Sequence, residues 1–255
     1  MSRSFLLATT AALGLLLSAA TPANAVADGE SVPDGRYTFS VKLTMTGIPT
    51  ADGGKRNSAC SGALISARWV ITAGHCFRDA NNVRVEYPVA DLTTATIGRT
   101  DLTDTDHGIE AKVIAVRQSP TADVALAEID TPAWRIPPLR LATRAPQVGD
   151  ILRVTGYGST TSVNPAPVTH LRTGQLQILT VGDSVLGLHG YAPAADTTPC
   201  PYDSGGPYFA ERKHHRPQLV AVVSNGPSCP HTATENAARV ENIAPWIRSV
   251  LRAAR

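Results

Sequence analysis

Ten short runs of β-branched or alternating apolar residues, cut apart by clusters of Gly, Pro, Asp and Asn, constrain this 255-residue chain more than any other feature. They are "YTFSVKLT", "SGALIS", "WVITAG", "VRVEYPV", "IEAKVIAVR", "DVALAEID", "ILRVTGYG", "TGQLQILT", "VLGLHG" and "QLVAVVS". Runs this short, with turn signals between them, read as strands of an all-β barrel or sandwich. Helical spacing occurs only near the C-terminus, where Ile243, Trp246, Ile247, Val250 and Leu251 recur at i, i+3, i+4, i+7 and i+8. The Pro-rich segment 131–150 is the best candidate for a connector between two halves, and no long internal repeat is present.

The first 25 residues, "MSRSFLLATTAALGLLLSAATPANA", combine one Arg, an apolar run and a small-residue end at Ala23-Asn24-Ala25. That pattern is expected to be a signal peptide, leaving a mature chain that begins at Val26 and is exported. No later run is long and apolar enough to span a bilayer, so no membrane association is expected after cleavage. A formal net charge of +2, with basic residues scattered, gives no reason to expect nucleic acid as a partner. The densest basic patch, "ERKHHRP", is expected to tip a solvated hairpin between "PYFA" and "QLVAVV" rather than to bind a metal or an anion through His214 and His215.

Four cysteines, Cys60, Cys76, Cys200 and Cys229, follow the leader. They allow three pairings, among which the spacing does not choose. Export and the absence of C-x-x-C spacing favour disulfides over zinc, so neither a metal nor a cofactor is expected.

Three short segments carry the chemistry. "WVITAGHCF" sets His75 beside Cys76 at the end of an apolar strand, "ADVALAEID" sets Asp123 at the head of another, and "TPCPYDSGGP" holds Ser204 in a Gly-rich turn. Taken singly, these are a structural histidine, a cap and a turn serine. Taken together, they supply a base, an acid to orient it and a nucleophile that is inert until a base accepts its proton. The order is His, Asp, Ser, with separations of 48 and 81 residues.

In these motifs the sequence resembles the chymotrypsin/trypsin family of serine endopeptidases, expected here as a secreted, bacterial member. "TAGHC", "DVAL" and "DSGGP" are similar to the family's histidine, aspartate and serine motifs, and the likeness extends over nearly all of the mature chain. It implies two six-stranded antiparallel β-barrels with the active site between them and a C-terminal helix. The expected division is a first barrel over about 26–135, a second over about 145–242 and a helix over about 243–253, all within one domain, 26–255. The resemblance also implies the disulfides Cys60–Cys76 and Cys200–Cys229, and a triad of His75, Asp123 and Ser204.

The same resemblance assigns the substrate-binding residues. "SNGPSC" is similar to the strand that lines the substrate groove, so Ser224 is expected close to Asp123, with Asn225 and Gly226 on the substrate backbone. Asn225 replaces the family's usual tryptophan. Thr198 stands where trypsin-like relatives carry the pocket-floor aspartate, so a basic P1 preference does not carry over. Glu235 falls near the opposite wall of that pocket, where a carboxylate would select Arg or Lys; a surface-loop glutamate is the favoured reading of it. Val26 is expected to pair through its α-amino group with Asp203. The oxyanion hole is assigned to the N–H groups of Tyr202 and Ser204.

Tyr202 is the main departure, since the family has glycine there. Either the fold holds Tyr202 in a shape that costs most L-residues about 1–2 kcal/mol, or the peptide turns and one donor is lost; the turned peptide is the expectation, given Pro201. The function expected is that of a monomeric, secreted endopeptidase acting on polypeptides through an acyl-enzyme. The alternative is a protease-like binding protein whose altered oxyanion loop leaves little turnover. An esterase is disfavoured because "YDSGG" lacks the first glycine of a G-x-S-x-G elbow.

Overall fold

A computed structural model describes residues 26–253, so the leader expected over 1–25 lies outside the described residues. The first half comprises β1 (Glu30–Ser31), β2 (Ser40–Pro49), β3 (Lys55–Ser66), β4 (Trp69–Thr72), β5 (Leu92–Ile97), β6 (Ile109–Gln118) and β7 (Ala125–Ile129). The second comprises β8 (Arg140–Leu141), β9 (Ile151–Gly156), β10 (Arg172–Val181), β11 (Val185–Ala192), β12 (Pro207–Ala210), β13 (Gln218–Asn225), β14 (Glu235–Arg239) and the helix α1 (Ala244–Ala253).

Strands β2 to β7 close an antiparallel barrel in the order β2-β3-β4-β7-β6-β5. A second ring runs β9-β10-β11-β14-β13-β12 and closes because β9 pairs with both β10 and β12. The expected pair of six-stranded barrels is therefore the observed architecture, with short β1 added against β10 and β8 lying parallel to β13. The helix buries Ile247 in the apolar cluster that fills the first barrel and extends to Leu219 and Val222 of β13.

Strand β2 shows why the barrels adhere. Val41, Leu43 and Met45 point into the first barrel's core, as period-two alternation requires. The opposite face is buried too, because it meets the second barrel: Ser40 Oγ lies 2.8 Å from Thr155 Oγ1, and Lys42 Nζ donates to the Tyr157 carbonyl at 2.9 Å.

Some expectations need correction. "VRVEYPV" is not a strand; it forms only an isolated bridge, Arg78 with Arg84, and leaves Val83 and Tyr87 exposed for want of a partner strand. The strand in this part of the barrel is β5, whose three threonines hide its apolar alternation and which is paired on both edges, by β2 and β6. Strand β14, "ENAAR", lacks β-branched residues and is held instead by β11 and β13. The start of the described chain belongs to the second barrel, not the first: Val26 is buried among Leu152, Val154 and Leu176, and β1 pairs with β10. The basic residues 212–216 do tip an exposed turn between β12 and β13, as expected.

Both implied disulfides are formed, Cys60–Cys76 and Cys200–Cys229. The first joins β3 to the short 3-10 turn that carries His75 and spans 16 positions. Replacing Cys60 and Cys76 together with Ala should cost about 3 kcal/mol through the freed loop, read as a lower guanidinium midpoint at unchanged slope.

Candidate active site

The register of two strands brings the first two motifs together. β4 pairs antiparallel with β7, Thr72 opposite Ala125, so the chain leaving β4 and the chain entering β7 meet at one end of the barrel. Three residues past Thr72 lies His75, and two before Ala125 lies Asp123. The His75 backbone N–H donates to Asp123 Oδ1 at 2.8 Å, and His75 Nδ1 is 2.7 Å from Oδ2. Ser224, from β13 of the other barrel, donates its hydroxyl to the same Oδ2 at 2.7 Å. Burial alone would raise the Asp123 carboxyl; the hydrogen bonds from His75 and Ser224 and the His75 charge outweigh it and hold the group at about 2. Arg84, which the sequence reading did not single out, places Nη1 4.0 Å from Asp123 Oδ1.

Ser204 sits in the turn before β12, pressed against the first barrel. The Ser61 N–H of β3 donates to the Ser204 carbonyl at 2.9 Å, and Thr72 Oγ1 donates to the Ser61 carbonyl at 2.7 Å. Serine and histidine thus hang on one corner, where β3, the end of β4 and the Cys60–Cys76 bridge meet.

Tyr202 adopts φ +77, the glycine-like shape. The Pro201 carbonyl accepts from the Ser159 N–H at 2.8 Å, which fixes the peptide joining Pro201 to Tyr202. The Tyr202 ring lies over the Lys42 ammonium, 5.8 Å from Nζ to the ring centroid. Of the two alternatives, the structure has the strained backbone, not the turned peptide that was expected. Neighbouring contacts over-determine it.

Asp203 is fully buried, and backbone N–H groups surround it: Gly158 donates to Oδ1 at 2.8 Å, Cys200 to Oδ2 at 3.0 Å, and Val26 also donates. A Cβ on Gly158 would lie 2.4 Å from the Asp203 carboxyl carbon, so only glycine lets the backbone approach. Burial pushes the carboxyl up to about 6, against the pull of these donors and of Lys42. Burial likewise pulls the Lys42 ammonium down to about 8, opposed by Asp203. Lys42 went unnoticed in the sequence because its strand face looks solvent-directed; the signal was a lysine inside an otherwise apolar run.

Beside Ser204 opens a cavity of about 370 Å³, walled by 199–201, 223–228 and Glu235. Ser224, Asn225 and Gly226 all line it. Thr198 does not: it is fully buried, and its N–H is tied to the Ala27 carbonyl at 3.2 Å. Glu235 is only 2% exposed, which overturns the surface-loop reading. As the first residue of β14 it is carried inward by pairing with Leu188 of β11. A Cβ on Gly226 would meet Glu235 Oε2 at 2.2 Å, so the carboxylate reaches across bare backbone. Its other oxygen, Oε1, lies 2.8 Å from His231 Nε2.

Two closed barrels, with a histidine–aspartate pair from one and a cavity-lining serine from the other, define a two-barrel protein of the serine-protease type. The model of the family described as Trypsin matches residues 26–247, and the chain belongs to that family. It is 24% identical over 253 residues to the fly (Drosophila melanogaster) protein "Serine proteinase stubble", covering 89% of this chain and 31% of that one. It is 28% identical to the "Beta-fibrinogenase-like" protein of Daboia siamensis, covering 75% of this chain and 77% of that one. With the "Proclotting enzyme" of Tachypleus tridentatus it shares 27% over 82% of this chain and 61% of that one. These are animal proteins, and they lend nothing to the expected bacterial source.

Tyr202→Gly should relieve about 1–2 kcal/mol of left-handed strain and return roughly 0.5–1 kcal/mol of backbone freedom to the unfolded chain. Stability should therefore change little, and kcat on a peptide ester should stay within about threefold. A rise of ~10²-fold would show that the wild-type amide is not aimed at the cleft.

The Asp203 carboxyl, at about 6, stands above its ordinary 3.8. Its contribution to stability is complete below 3.8 and is lost as pH rises through about 6. A chain that begins at Val26 presents an ammonium there in place of an amide N–H, which lowers the carboxyl and removes that loss. Thermal melts of a chain starting at Val26 and one retaining Ala25 should diverge as pH rises from 3.8 to about 6 and hold that gap at neutral pH, with the shorter chain the more stable. A gap that does not grow with pH would break the link between Val26 and Asp203.

Proposed function

We propose that this chain is a secreted serine endopeptidase that cleaves polypeptides through an acyl-enzyme, with His75, Asp123 and Ser204 as its catalytic residues. The observation that carries this reading is the Asp123 carboxylate, which takes both the backbone N–H and Nδ1 of His75 and so sets the imidazole's orientation. The order of events follows the general template for such triads. Ser204 Oγ bonds to the scissile carbonyl carbon while His75 Nε2 takes its proton. The carbonyl oxygen, now an anion, is met by the N–H groups of Tyr202 and Ser204. His75 then gives the proton to the departing amine, and water repeats the sequence to release the acid and regenerate the hydroxyl. Asp123 keeps its charge throughout and stabilises the imidazolium, in keeping with a carboxyl held at about 2.

The φ of +77 at Tyr202 favours a working oxyanion site over the binding-protein alternative. Asn225 and Gly226 are assigned to the substrate backbone and Glu235 to the P1 side chain. The α-amino group of Val26, once freed by removal of the leader, pairs with Asp203. Two disulfides accord with an oxidising, extracellular setting. The enzyme is proposed to work as a monomer without a cofactor.

A fluorophosphonate probe should label Ser204, and a protein that folds but takes no label would be the binding protein instead. Ala at Ser204, His75 or Asp123 should each lower kcat/KM by at least ~10³-fold, and combined replacements should add little, because the three act as a unit.

A further inference from the structure

We infer that His231 sets the charge of the cavity beside Ser204, so that a proton on the His231–Glu235 pair and a cationic P1 side chain compete for one carboxylate. The inference deepens the endopeptidase reading and rests on it for the word P1, but not for the binding of the cation.

Glu235 is bound on one side only. Oε1 faces His231 Nε2 at 2.8 Å, and the whole carboxylate lies against the bare backbone of Gly226 on the cavity wall, where a Cβ would meet Oε2 at 2.2 Å and Oε1 at 2.4 Å. Among the described residues no hydrogen bond reaches Oε2, which leaves that oxygen for a ligand donor. The pair is deeply set: the side chains of His231 and Glu235 are 10% and 3% exposed. With His231 protonated the pair is neutral overall, and a guanidinium or ammonium entering the cavity gains little. With His231 neutral, Nε2–H still donates to Oε1, but the pair carries a full negative charge facing the cavity.

His231 Nδ1 is buried without a hydrogen-bond partner, so an imidazolium there would hold one N–H donor unmatched. Burial of Glu235 also raises its carboxyl, with the His231 contact working against that. The surroundings add few other charges. Asp203 and Tyr208 interact electrostatically with Glu235, Asp203 raising it further. On β11, His189 is the residue next to Leu188, but it turns to Gln177 at 3.3 Å. Strand β13 brings only Ser224 and Asn225, and neither the loop 158–168 nor the segment 226–234 apart from His231 holds an ionisable side chain.

The test is the binding of an arylamidinium ion and of its neutral carboxamide isostere, measured by calorimetry from about pH 5 to 9, a span covering the histidine range. The amidinium should tighten by up to ~10-fold per pH unit below the midpoint, because one proton leaves as it binds, and then reach a plateau. The carboxamide should bind weakly and without this step. Glu235→Gln should leave amidinium binding weak at every pH. His231→Gln, which keeps a neutral donor to Oε1, should move the step to lower pH. In His75→Ala the step should persist, which separates it from titration of the triad. An amidinium that binds no better than the carboxamide at any pH, a step unmoved in His231→Gln, or a step lost in His75→Ala would overturn the inference. Because binding is read without turnover, failure of the endopeptidase reading shows separately, as tight amidinium binding by a protein that cleaves no peptide.

Discussion

A carboxylate with no access to water has to be met by donors, and the turn around Ser204 is organised by that requirement at Asp203. Three backbone N–H groups, from Gly158, Cys200 and Val26, converge on it from three separate stretches of chain. Each contact positions something else. The Cys200 contact folds the turn that leads to Ser204, the Gly158 contact anchors the loop whose Ser159 holds the Pro201 carbonyl, and the Val26 contact draws the N-terminal segment into the second barrel. Left unmet, such a group would cost several kcal/mol. The geometry of Tyr202 and Ser204 follows from where Asp203 is satisfied.

The site forms only when the two barrels meet, and a few hydrogen bonds fix how they do. Ser61 donates backbone N–H to the Ser204 carbonyl and its hydroxyl to the Tyr202 carbonyl, 3.1 Å away, so one residue of β3 grips both ends of the turn that carries Ser204. The same hydroxyl accepts from the Tyr157 N–H at 3.0 Å. In the other direction Ser224 reaches from β13 to Asp123. Each barrel thus supplies the other's missing partner, and the Cys60–Cys76 bridge limits drift at the corner that bears both His75 and the Ser204 contact.

What could be read from the sequence was local. The three motifs around His75, Asp123 and Ser204 are contiguous strings that can be read residue by residue, and strands such as β4, β7 and β13 announce themselves by unbroken apolar character. What could not be read depends on partners far along the chain. β5 and β14 are strands because neighbours hydrogen-bond both of their edges, which composition does not record. Lys42 lies on a face that alternation assigns to water, and only the second barrel covers it. Glu235 looked like a loop residue because nothing nearby in sequence shows that β11 will carry it inward. Tyr202 was misjudged for a related reason: Pro201 was weighed by its own φ, whereas the Ser159 N–H, remote in sequence, fixes the peptide.

The two buried carboxylates of the second barrel do not act independently. The charge on Asp203 raises Glu235, so whatever compensates Asp203 also eases ionisation of Glu235. Lys42 supplies one compensating charge from β2, held near its own titration at about 8. An ammonium at Val26 would supply a second and stronger one. It follows that the charge state at the N-terminal segment reaches the cavity beside Ser204 through Asp203, with no movement of backbone required. An ammonium at Val26 would thus, by the same electrostatic route, strengthen the negative charge that Glu235 presents to the cavity beside Ser204.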